Sequence, residues 1–80
     1  MEPKDQSDPT AESLAEFAKT EHVMQFFSYA HLPGGLQEVS KPFAVLAVQV
    51  VTLPRNPERT KALDLLLAAK DAAVRAFIAK

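Results

Sequence analysis

Apolar residues along this chain recur mainly at helical spacing, and two irregular stretches divide them into three segments. In the first segment, Leu14, Phe17 and Ala18 share one face of a helix predicted over residues 9–20. Asp8-Pro9 reads as its start, a capping side chain followed by proline at the first helical position, and Thr10 is an alternative cap. A helix this short is not stable alone and must dock on the rest of the chain. Residues 24–35, MQFFSYAHLPGG, then lose the period; aromatic residues gather there and Pro33-Gly34-Gly35 punctuates the chain. Phe26, Phe27 and Tyr29 have the propensity for a short extended segment, but no second strand candidate accompanies them, so the stretch reads as a structured loop.

From Leu36 the helical period resumes through Val39, Phe43, Leu46 and Val50, with Ala47 beside them. Pro42 interrupts this run: it lacks a backbone donor and clashes one turn back, which predicts a kink or a fresh start, with Ser40 as the cap of that start. Leu53-Pro54 ends the helix near Thr52. Asn56 is then a good cap and Pro57 a good first residue for a helix over 57–79, with Glu58 in the first turn where the dipole favours an acid. The predicted fold class is all-α, a short N-terminal helix plus a long antiparallel helical hairpin. Residues 1–25 form an acidic N-terminal segment, and 26–80 the hairpin domain.

The hairpin has more apolar surface than it can hide. On the last helix Leu66, Ala69, Ala73 and Phe77 mark one stripe, and Leu63, Leu67, Val74 and Ile78 a second one rotated around the cylinder. Val45 and Val48 lie off the main stripe of the preceding helix. A hairpin packs one face of each helix, so the remainder calls for a partner, and the alanines of the last helix allow close approach. Chain length points the same way. A chain of 80 residues buries only ~60% of the surface exposed by its unfolded form. With no cysteine for a disulfide or thiolate metal site, assembly as an oligomer is the stabilising route left.

Charge changes the picture through its distribution. Residues 1–25 carry six acids against two bases, whereas residues 26–80 carry seven bases against four acids. The hairpin is therefore mildly basic, which suits a compact anion; a net charge of −1 gives no basis for binding bulk nucleic acid or an acidic membrane. The N-terminus lacks an apolar signal region, and no apolar run approaches the ~20 residues of a membrane span, so a soluble intracellular protein is expected.

Catalysis finds little footing. The sequence has no Gly-rich phosphate loop, nucleophile elbow or HExxH pattern, and His22 and His31 have no matching ligand cluster, so neither a catalytic residue, a metal nor a cofactor is expected. Binding is better served. Phe27-Ser28-Tyr29-Ala30-His31 sets an aromatic, a hydroxyl and an imidazole in an irregular segment, and Tyr29 could stack on a nucleobase. The plainer reading makes Phe26, Phe27 and Tyr29 a hydrophobic latch over the hairpin. Arg55, Asn56, Glu58, Arg59, Thr60 and Lys61 form a second cluster at a helix start, where free N–H groups and a guanidinium suit a phosphate, or where they are simply a charged first turn. Lys41, beside Pro42, is a third basic candidate or an ordinary solvated lysine.

The order F-S-Y-A-H-L-P at 27–33, L-Q-E-V-S-K-P-F at 36–43, P-E-R-T-K-A-L at 57–63 and A-K-D-A-A-V-R-A at 69–76 resembles the helical-hairpin family of phage anti-CBASS and anti-Thoeris proteins. The resemblance spans about residues 26–78 and rests on order and spacing across the hairpin, not on any single motif. It implies a sponge that sequesters cyclic nucleotide messengers of bacterial immunity without cleaving them, in the cytoplasm of the infected host, as an interlocked homo-hexamer with pockets between protomers. Because the anti-Thoeris branch carries a further β-domain, the resemblance favours the anti-CBASS branch and its cyclic di- and trinucleotides. Carried over by position, it makes Tyr29 the stacking aromatic, Lys41 the phosphate contact, and Arg59 and Thr60 the polar pair of a trinucleotide pocket. His31 stands beside Tyr29 as a further ligand-binding candidate. The alternative is a small helical protein–protein interaction module with no nucleotide ligand, using the same surplus faces on a partner helix.

Overall fold

The computed structural model describes residues 9–79, and among these it forms three helices and one 3₁₀ turn: α1 (Pro9–Ala18), the 3₁₀ turn (His22–Phe27), α2 (Gly34–Val51) and α3 (Pro57–Ala79). The protein is all-α, with no strand among the described residues. Local chemistry explains the start of α3. The Asn56 Oδ1 accepts the Arg59 N–H at 2.9 Å, and the Asn56 carbonyl accepts the N–H groups of Arg59 and Thr60, so the cap falls at Asn56 and Pro57 opens the helix as expected. The proposed Asp8 cap of α1 lies outside the described residues, and Thr10 sits within the helix. α1 ends at Ala18, short of the expected residue 20.

α2 departs from expectation at both its start and its middle. It begins at Gly34, where Pro33 supplies the carbonyl for the Gln37 N–H at 3.0 Å. It then runs through Pro42 without a new start. Glu38, whose carbonyl loses the donor that proline lacks, and Pro42 itself are both exposed, so water can take over that carbonyl and the cost falls. Ser40 is no cap: it is fully buried inside the helix, and its Oγ has no hydrogen-bond partner among the described residues.

The core seam of α2 is also rotated from the expected one. Its buried positions are Ser40, Ala44, Ala47 and Val51. Leu36, Val39, Phe43 and Val50 are only half-buried, and Leu46 is exposed. Small residues let α3 approach closely, which moves the large side chains to the flanks of the seam. On α3 the inward face takes members of both expected stripes, with Leu63 buried and Leu66 and Leu67 packed beside it, while Ala69, Phe77 and Ile78 remain exposed. Gly35, in the first turn of α2, lies against Phe77 near the end of α3.

All four elements and the turn before α2 meet in one core of Leu14, Met24, Phe27, Tyr29, Ala44, Ala47, Val51 and Leu63. Phe27 is its largest fully buried side chain, whereas its neighbour Phe26 points outward, 49% exposed. Lys70 on α3 reaches across to donate to the Phe26 carbonyl at 2.7 Å, tying the 3₁₀ turn to α3. α1 lies over the side of α2 carrying Val45 and Val48, which border a shallow hollow of about 170 Å³ opposite Pro9, Thr10 and Ser13. Part of the apolar surface that seemed to require a partner is thus covered from within the chain. The Cα trace measures 39 × 34 × 15 Å. Its radius of gyration, 12.8 Å, exceeds the ~11–12 Å of a compact chain of this length, so the layer is thin and buries few residues completely.

The two glycines at the start of α2 separate two effects. A Cβ at Gly34 meets nothing within 4 Å, so Gly34→Ala is expected to stabilise the fold by about 0.4–1 kcal/mol through the unfolded chain. A Cβ at Gly35 would come within 2.9 Å of the Phe77 ring, so Gly35→Ala forces the ring aside and should gain less. Urea midpoints of the two variants measure the difference; equal gains would mean that Phe77 does not pack on Gly35.

Candidate functional site

The turn from Ser28 to Pro33 is built by its neighbours. Phe27 anchors one end in the core, and the Leu32 N–H donates to the Tyr29 carbonyl at 3.0 Å. Gln37, from the first turn of α2, donates its side-chain amide to the carbonyls of Ala30 (3.1 Å) and Leu32 (2.7 Å), holding the turn against the helix. This fixes Tyr29 with its side chain turned inward, only 3% exposed. Lys41 stands one turn along α2, and its ammonium lies 5.9 Å from the centroid of the Tyr29 ring, within cation–π range. Ser28, Tyr29, Ala30 and exposed His31 line one side of a hollow of about 220 Å³, with Ala11 and Leu14 of α1 on the other. Tyr29 and Lys41, on different elements, are therefore neighbours, and His31 shares the hollow with Tyr29.

Arg59 and Thr60 belong elsewhere. Arg59 is 8% exposed and works as a clamp: its Nη1 donates to the carbonyls of Val51 (2.7 Å) and Leu53 (3.2 Å), and its Nη2 pairs with the Glu21 carboxylate. Val51 ends α2, Leu53 lies in the connector beyond it, and Glu21 precedes the 3₁₀ turn, so one guanidinium on α3 joins three parts of the chain. Arg55 adds a second, exposed contact to Glu21 at 3.4 Å. Thr60 is exposed on the first turn of α3. The nearby hollow, about 230 Å³ between Leu53, Pro54, Asn56, Glu58, Arg59 and Ala62, includes an acid, and Asn56 already occupies the N–H groups of Arg59 and Thr60. This end of the molecule has less to offer an anion than the residue types alone suggest.

No protein-family model, curated protein or solved structure matches this chain. Among the described residues, no three His, Asp or Glu side chains gather as a metal site, and no helix is long and apolar enough to cross a membrane.

Four participants escaped the reading by residue type. Glu21 binds Arg59 from 38 positions away, a separation without periodic signal. Gln37 looks like an ordinary helix-surface residue. Leu14 reads simply as part of the apolar face of α1, which it is, and Ala11 carries no signal of its own, but both line the Tyr29 hollow.

Proposed function

We propose that this protein captures cyclic di- and trinucleotide immune messengers, the signals of CBASS defence, and releases them unaltered, as a phage-encoded sponge in the infected bacterial cytoplasm. The observation that carries this reading is the pairing of Tyr29 with Lys41 beside the hollow that His31 also lines. The Lys41 ammonium lies over the Tyr29 ring, so an aromatic surface for a nucleobase and a cation for its phosphate meet at one point. The order of motifs along residues 26–78 supports the same ligand class. Arg59 is assigned to the fold, and exposed Thr60 is left as the polar residue for a second, trinucleotide contact.

The working form is an oligomer of helical hairpins made from α2 and α3, with a hexamer as the proposed number. Its support is the thin layer and the large apolar side chains left outside, among them Leu46, Leu53, Leu65, Phe77 and Ile78. Leu65, 60% exposed, shares the outer face of α3 with Ala69, Ala72 and Ala76, where a neighbouring helix can approach closely. Leu65→Lys is expected to lower the sedimenting mass without lowering helicity; unchanged mass would remove this face from the interface.

Isothermal titration against 3′,3′-cyclic GMP–AMP and a cyclic triadenylate tests the ligand assignment. Lys41 is exposed, so Lys41→Met should leave the fold intact and weaken dinucleotide binding about 10- to 100-fold, the range for losing one charged hydrogen bond. Equal affinity of parent and variant would dismiss Lys41 as the phosphate contact. Absence of heat with both ligands would favour the second reading, an interaction module whose exposed leucines dock on another protein's helix.

A further inference from the structure

The residues that make the proposed site are in place, but the site is shut. A base stacks on an aromatic face, and Tyr29 is 3% exposed. The 220 Å³ hollow beside it falls below the ~300–1,000 Å³ typical of small-molecule sites, and a cyclic dinucleotide is too large for it. The wall that limits the hollow is α1, through Ala11 and Leu14.

α1 has the character of a removable part. It is ten residues long, below the length at which a helix holds itself together, and Leu14 is its one fully buried residue among half-buried Ala11, Phe17 and Ala18. Its contact with α2 is imperfect, leaving the shallow hollow over Val45 and Val48. By contrast, the chain just beyond it is fixed. The Glu21 carboxylate is held by buried Arg59 and by Arg55, while the Glu21 N–H donates back to the Phe17 carbonyl of α1 at 2.8 Å, so the joint between them is a hydrogen-bonded turn. Lys19 and Thr20 lie between the weakly held helix and this anchor, in a turn. α1 also carries Glu12 and Glu16 on exposed positions, carboxylates that an anionic ligand disfavours nearby.

We propose that α1 is a hinged cover over the Tyr29–Lys41 site, which swings away about the Glu21 anchor when ligand enters. The proposal rests on the sponge reading and adds its regulation: apparent affinity equals the affinity of the open form scaled by the fraction of chains that are open. A ligand pocket between protomers would then be exposed only as α1 leaves.

Two measurements on the 80-residue chain test it. Tyr29 is the only tyrosine and there is no tryptophan, so quenching of intrinsic fluorescence by acrylamide reports its exposure without any ligand. Leu14→Ala, checked for retained helicity, should raise the quenching constant at least about twofold and tighten 3′,3′-cyclic GMP–AMP binding about three- to tenfold. In the unmodified protein, saturating 3′,3′-cyclic GMP–AMP should make the amides of residues 11–18 exchange hydrogen at least about fivefold faster. Unchanged quenching in a folded Leu14→Ala chain would overturn the cover, because α1 would not be what hides Tyr29. If Leu14→Ala fails to fold, hydrogen exchange on the parent decides alone. Tight binding with equal or slower exchange over 11–18 overturns the cover while leaving the sponge intact. No binding by either chain overturns the sponge reading, and the cover falls with it.

Discussion

Arg59→Met is expected to cost the fold about 3–5 kcal/mol, the usual range when one member of a buried ion pair is removed. The substitution keeps most of the side-chain volume, so the loss comes from what it leaves behind. Glu21, whose carboxyl is largely buried, loses its buried cation, and the Val51 and Leu53 carbonyls lose a charged donor just where α2 ends. Arg55, mostly exposed, can replace little of this. Total stability for a chain of this size is of order 5–10 kcal/mol, so the variant should sit close to unfolding at ambient temperature. Urea denaturation followed by circular dichroism measures it. Pairing the change with Glu21→Gln should cost less than the two single changes together, by roughly 1–3 kcal/mol of coupling. A strictly additive pair would mean that the Glu21–Arg59 contact contributes nothing of its own.

A change of similar size is expected at Phe27, and next to none at the phenylalanine before it. Phe27 is fully buried among core residues drawn from every helix, so Phe27→Ala removes its transfer energy and opens a cavity, together about 3–5 kcal/mol. Phe26 is half-exposed, and its ring lies 5.5 Å from the His22 ring in an edge-on contact at the surface. Phe26→Ala should cost no more than about 1 kcal/mol. Thermal midpoints of the two variants give the comparison directly. Similar losses at both positions would mean that the inward and outward assignments of this pair are mistaken.

These two predictions also mark what sequence alone could and could not reveal. Element type and most boundaries are local matters: Asn56 followed by Pro57 announces α3, and Leu53-Pro54 ends α2, because capping and proline sterics act within a turn. The phase of the α2 core was not legible in the same way. Leu36, Phe43 and Leu46 outweigh Ala44 and Ala47 in apolar surface, so periodicity favours the leucine side, yet close packing with α3 selects the small side. Pro42 looked like a break because the sequence does not say that Glu38 faces water. Among the site residues, the nearness of Tyr29 and Lys41 follows from the turn that Gln37 holds, the hollow beside Tyr29 is completed by α1, and the role of Arg59 depends on a partner 38 residues earlier. Long-range contacts of this kind are chosen by packing and leave no spacing rule behind.

The sponge reading is tested most directly by native mass spectrometry of the 80-residue chain after incubation with 3′,3′-cyclic GMP–AMP. A homo-oligomer, six chains on the present proposal, carrying whole ligand molecules whose mass is that of the starting cyclic dinucleotide, is the expected spectrum. A single chain with no ligand attached, or a spectrum in which the dinucleotide has become a linear product, would contradict it.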